Sequence, residues 1–248
     1  MNRLGRCVLF ATVSAIALTA GATIGLRART RRNFGVQRHE SNAPSSSAAV
    51  SAGGIETSSL TRRFLLYYII PIWLAAGVAD WICHRGSAIE QTTGAKESLM
   101  HLLMLAEVSI PVTAGFFLEV TAPIAALMIA AFLAHEVTAL WDVSYAVTAR
   151  NVTPIEQHVH SFLEMVPLMA ISFIAVLHWP QFCALAGIGE EPADLSIRAK
   201  DKPLPAGYIP ISLAATGILE VLPYLEELYR TLRANNFRLI PAGGPADR

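Results

Sequence analysis

Between residues 64 and 179 the chain repeats one pattern, an apolar stretch of twenty-odd residues followed by a short polar break. An α-helix needs about 20 apolar residues to cross the hydrocarbon core of a bilayer. The pattern predicts four helices of that length, over about 64–84, 93–118, 123–150 and 153–179. The fourth opens on Thr153-Pro154-Ile155-Glu156. That places Thr at the N-cap, Pro at the first helical position and Glu at the third, the signature of a capping box. Thr121 is a candidate cap for the third. A fifth apolar stretch, 209–225, carries Glu220 and Pro223 and runs into Glu226, Glu227, Arg230 and Arg233. It is either a fifth span or a helix lying in the interface.

The flanks read differently. Residues 1–40 hold Arg3 and Arg6, an apolar run from 7 to 26, and a basic cluster of Arg27, Arg29, Arg31 and Arg32. A basic start before an apolar run fits a signal anchor; a cleaved signal or an organellar transit peptide is the alternative. Residues 41–61, rich in Ser, Ala and Gly, read as a disordered linker. Residues 62–180 form the bundle. Residues 181–248 comprise a polar loop, the C-terminal helix and a tail. The expected fold is therefore all-α: an integral-membrane, up-down four-helix bundle with an N-terminal anchor segment and a fifth C-terminal helix.

Composition supports the membrane reading. Of 248 residues, 53% are hydrophobic and 15% charged, against about 25% charged in an average soluble domain. The formal net charge is zero, so no nucleic acid or other polyanion is implied as a partner. Cys7, Cys83 and Cys183 are scattered without a CxxC pair, which argues against a disulfide framework and a zinc ribbon. The expected partners are the lipid bilayer and an apolar small-molecule or lipid substrate; the sequence is silent on oligomeric state.

The candidate chemistry lies inside the apolar segments. Each predicted helix carries one histidine and one carboxylate on a single face: Asp80 with His84, Glu97 with His101, His135 with Asp142, and His160 with Glu164. Three pairs are spaced i, i+4 and one i, i+7, so each shares a stripe. In an up-down bundle all four pairs fall at a similar depth, very roughly 5 to 15 Å below one membrane face at ~1.5 Å rise per residue. Ionisable groups in apolar helices are costly and point to function. The bland alternative is a set of buried hydrogen bonds that lock helices together.

Other polar residues have their own alternatives. Glu156 is a helix cap or a further ligand. Thr138, between His135 and Asp142, is a candidate hydrogen-bond partner for a ligand. Glu136 reaches a second site or pairs with Arg150, and Glu107 lies off the stripe. His158 points away from His160, and His178 sits with Trp179 at the far end as an interfacial anchor. Arg85 and Arg150 at the mouth either snorkel or pair with a carboxylate.

Imidazole and carboxylate without thiolate favour iron, with zinc or manganese as alternatives. Mixed His and carboxylate ligands on four helices resemble the di-iron and di-manganese carboxylate proteins in ligand type and architecture, over residues 64–179. The spacing departs from theirs: Glu97-Ser98-Leu99-Met100-His101 is Glu-x3-His, where those proteins use Glu-x-x-His, and every helix supplies a histidine. The resemblance implies two transition-metal ions. It also implies a membrane-embedded oxidoreductase acting on a lipid-phase substrate. The alternatives are a zinc-dependent membrane lipid hydrolase and a non-enzymatic metal-ion carrier or sensor. Arg62, Arg63 and the basic loop at 198–202 lie opposite the pairs, so the positive-inside rule places the site near the non-cytoplasmic face.

Overall fold

A computed structural model of the chain describes residues 46–241. The anchor segment, the first residues of the linker stretch and the last seven residues fall outside that range. Among the described residues the secondary structure is helical, apart from one isolated bridge between Leu118 and Ala199. The helices are α1 (Ser46–Phe64), α2 (Ile70–Ser87), α3 (Ala95–Phe117), α4 (Ala122–Ala149), α5 (Pro154–Leu177), α6 (Trp179–Leu185), α7 (Tyr208–Thr216) and α8 (Leu222–Ala234). A π-turn at Leu65–Ile69 fuses α1 to α2, and another at Gly217–Val221 fuses α7 to α8.

Five helical stretches are long and apolar enough to cross a membrane, as a multi-pass integral membrane protein requires: Glu56–Ser87, Ala95–Phe117, Ala122–Ala149, Pro154–Leu177 and Tyr208–Ala234. The stretch expected to be a linker is helical from Ser46. Two of its hydroxyls back-bond one turn up the helix, Ser58 to the Gly54 carbonyl at 3.0 Å and Thr61 to the Thr57 carbonyl at 2.9 Å, a pattern open to Ser and Thr inside helices.

Local chemistry sets the ends. Thr153 caps α5 in a full capping box with Glu156. Thr121 sits at the N-cap of α4 but gives its hydroxyl to the Ser196 carbonyl at 2.8 Å, so it ties down the polar loop. Ala88 in the left-handed region ends α2, and Gly94 at φ 71° opens α3. A side chain at Gly94 would also meet Pro241 Cδ at 2.6 Å. These two residues bracket a single 3-10 turn, Ile89–Gln91, which keeps the α2–α3 link short.

The apolar core joins Ile69, Trp73 and Leu74 to Leu105 of α3, Val166 of α5 and Tyr224 of α8. A second cluster packs Val120, Ile124, Ala125 and Met128 against Ile171, Ile174 and Phe182. α3 packs on α4, α2 on α5, and α8 against both α3 and α2. Large apolar side chains such as Tyr67, Val137, Trp141 and Val176 remain exposed, as expected where lipid replaces water. The last helix is clamped by ion pairs: Arg85 and Arg230 both reach Glu226, and Arg230 also pairs with Glu90.

Candidate metal centre

The centre is built where α2, α3, α4, α5 and α8 approach one another. Asp80, His84, Glu97, His101, Asp142 and Glu156 are all buried, His84, Glu97 and Glu156 completely. Three overlapping groups bring donor atoms within 4.8 Å of one another: Asp80, His84 and His101; His84, Glu156 and His160; Glu97, His101 and Asp142. Six of the eight residues expected from the sequence are gathered here. His135 and Glu164 line the adjoining cavity, of about 50 Å³, but belong to none of the groups. Glu156 joins them and keeps its cap, since its Oε2 faces the Thr153 amide while Oε1 turns inward.

Glu227 organises the histidines. Its two oxygens accept from His84 Nδ1 and His101 Nδ1, each at 3.0 Å. The two rings stack with centroids 4.4 Å apart and planes 6° from parallel. Each ring then turns its Nε2 toward carboxylates. His84 Nε2 lies 3.5 Å from Asp80 Oδ1, 3.6 Å from Glu156 Oε1 and 4.0 Å from Glu97 Oε1. His101 Nε2 lies 3.4 Å from Asp142 Oδ2. Neither Nε2 has a hydrogen-bond partner among the described residues, and the same holds for Asp80 Oδ1 and Asp142 Oδ1. His160 Nε2 touches Asp80 Oδ1 at 2.8 Å without hydrogen-bond alignment.

The 3.4 to 4.0 Å separations around the two Nε2 atoms exceed a hydrogen bond, whereas the 2.8 Å His160–Asp80 contact has the length of one. A charge-assisted N–H···O bond runs at about 2.7 to 2.9 Å. Metal–ligand bonds of about 2.0 to 2.2 Å place two donors of one ion about 3 to 4 Å apart. Charge points the same way. Asp80, Glu97, Asp142, Glu156 and Glu227 are buried together with one permanent cation, Arg150. These carboxylates outnumber the single fixed cation, and buried charge of one sign must be offset by protons or bound cations. Protonating both stacked imidazoles would set two cations face to face in a buried site, where like charges repel strongly.

Arg150, expected at the mouth, is drawn in. Its guanidinium reaches Glu97 Oε1 at 2.6 Å and Glu156 Oε1 at 2.5 Å. Burial opposes its charge, but the bonds to Glu156 and Glu97 raise its pKa above the ordinary arginine value. Arg85 pairs instead with Glu226 at 3.0 Å and lies over Trp81.

Several expectations resolve differently. Thr138 donates to Glu107 Oε1 at 2.8 Å rather than to a ligand. Glu136 has a buried, unpartnered Oε1 and makes no pair with Arg150. His135 is near the carbonyls of Met104 and Leu163, but neither ring nitrogen makes an aligned hydrogen bond. His158 is exposed and packs edge-on against Phe162.

What sequence reading missed lies on the fifth stretch. Tyr224 donates to Asp80 Oδ2 at 3.2 Å, Glu220 is buried with Oε1 unpartnered, and Thr231 meets Ser98 at 3.4 Å. Glu220, Tyr224, Glu227 and Thr231 are spaced 4, 3 and 4 apart, a helical stripe visible in the sequence but masked by the exposed charges around it. No family model, curated protein or solved structure matches the chain, so its function is read from these residues alone.

Proposed function

We propose that this protein is a membrane-embedded, two-metal oxidoreductase with iron as the first candidate, acting on an apolar or lipid substrate that enters from the bilayer. The reading takes the helices of residues 62–180 as an up-down bundle with the fifth leaning on it, and sets the site toward the non-cytoplasmic face. Its ligands would be drawn from Asp80, His84, Glu97, His101, Asp142, Glu156 and His160, with His135 and Glu164 on the adjoining cavity wall.

One observation carries the metal reading. A single buried carboxylate, Glu227, binds the Nδ1 atoms of two stacked histidines and leaves both Nε2 atoms unpartnered and facing carboxylates. Metal-bound histidines commonly hold their other ring N–H on a carboxylate, which fixes tautomer and ring orientation. Glu227 performs that task twice. Arg150 holds Glu97 and Glu156 in place and offsets part of their charge. Tyr224 orients Asp80. A redox-active pair of ions would supply oxidation chemistry; zinc would supply activated water and a hydrolase instead.

A metal carrier is the second reading, favoured by further half-buried carboxylates on the same helices, Glu107, Glu136 and Glu164. Against it stands an opening on the opposite side where four cations, Arg62, Arg198, Lys200 and Lys202, outnumber Glu119 and Asp201, which disfavours an emerging cation.

Metal analysis by mass spectrometry after purification in mild detergent tests the proposal. About two transition-metal ions per chain are expected, and their identity separates oxidoreductase from hydrolase. Protein that is essentially metal-free, and that iron, manganese or zinc cannot reconstitute, overturns it.

A further inference from the structure

A second and much larger cavity, of about 400 Å³, lies away from the metal cluster. That is the size of a pocket for one small organic ligand. Its walls are mostly apolar, with Leu65, Ile69, Val112, Phe116, Phe132 and Ile171 among them, interrupted by His178 and by Glu107 beside Val108. Its opening is charged. Arg62, Arg198, Lys200 and Lys202 line it against two carboxylates, Glu119 and Asp201. One of these acids is partly engaged by the fold, since Glu119 Oε1 accepts from the Asp201 backbone amide at 2.8 Å. Lys200 Nζ is held by the carbonyls of Gly115 and Leu118 at 2.8 and 2.9 Å, and Arg198 by Asp194. Arg62 and Lys202 have no ion-pair partner among the described residues. The inner end approaches the metal cluster: Val108 lines both this cavity and the small one beside Asp80 and His101.

We infer that this cavity binds a single-chain amphiphilic anion, its carboxylate or phosphate head at Arg62 and Lys202 and its apolar chain running inward toward Val108. Charge complementarity sets the head and the apolar lining sets the tail. A neutral alcohol of the same length gains nothing at the opening, and a cationic amphiphile is repelled there. That such an anion is the substrate of the metal site rests on the function proposed above; that it binds does not.

The test uses the full-length protein in nanodiscs of phosphatidylcholine, with radiolabelled palmitate, lysophosphatidate, hexadecanol and hexadecyltrimethylammonium as probes. Saturable binding of about one palmitate or one lysophosphatidate per chain is expected, and the tighter of the two identifies the head group. Hexadecanol should bind at least tenfold more weakly, and the ammonium should show no saturable site. The double variant Arg62→Glu, Lys202→Glu changes two exposed side chains and should weaken anion binding tenfold or more. Val112→Trp, which fills the cavity, should abolish it. Equal binding of all four probes, or wild-type binding by the charge-reversed variant, overturns the inference. Metal content measured on the same samples separates the two proposals. Metal-free protein that still binds palmitate sinks only the metal site, and metal-loaded protein that binds neither anion sinks only this one.

Discussion

Glu227 contributes two oxygens to two rings, and its effect can be isolated by one isosteric change. In Glu227→Gln the amide offers one acceptor and one donor group. Only one of His84 and His101 can keep its bond, and the other meets an N–H facing its own. Loss of a carboxylate that orients a metal-bound histidine typically costs 10- to 100-fold in metal affinity. We expect a loss in that range, read by chelator competition, with the fold retained. His158→Ala should leave affinity untouched, because that ring is exposed beside Phe162. Undiminished affinity in Glu227→Gln would mean that the two Nδ1 bonds are structural only.

At the scale of elements, the fifth stretch depends on its π-turn. The Leu222 amide reaches back to the Gly217 carbonyl, five residues away, so the turn carries one residue more than an α-turn. Such single-turn π segments recur at functional sites. Here the turn carries Glu220 against α2, where space exists because residue 77 is glycine. A Cβ at Gly77 would lie 1.9 Å from Glu220 Oε2. The obstacle is the end of a flexible side chain, so Gly77→Ala should push the Glu220 carboxylate out of the cavity. The helix itself should suffer little, because alanine is the better helix former by roughly 0.5 to 1 kcal/mol. We expect Gly77→Ala and Glu220→Gln to change metal affinity in the same direction, and the double variant to be no worse than either single one. Strict additivity would show that the two positions act separately.

For the whole molecule, the groups of the proposed centre run from Asp80 to Glu227. A chain lacking residues 1–45 but given another insertion signal should keep its full metal content. A chain ending at Leu204 retains Asp80 to Glu164 but loses Glu220, Tyr224 and Glu227, and its occupancy should collapse. Mass-spectrometric metal counts on both truncations check this. Full occupancy in the chain ending at Leu204 would return the centre to four helices alone.

Apolar run lengths and the capping box at Thr153 and Glu156 are local properties, so the helical class, four of the apolar helices and most of their ends could be read from sequence. The one-sided spacing of Asp80 with His84, and of Glu97 with His101, is local too, and both pairs were legible as stripes that share one helix face. Tertiary structure decided everything that depends on distance between elements. His135 shares a stripe with Asp142, yet it stands apart from the cluster, because residues seven apart on a helix are about 10 Å apart along its axis. Glu156 serves as cap and cluster member at once, since its two oxygens point different ways. Arg150 follows α4 directly, but only the approach of α3 and α5 brings Glu97 and Glu156 to its guanidinium. Glu227 sits among charged neighbours, and sequence cannot tell which carboxylate of Glu226 and Glu227 faces water and which faces the core. That choice belongs to the rotation of α8 against α2 and α3, which packing and the π-turn determine.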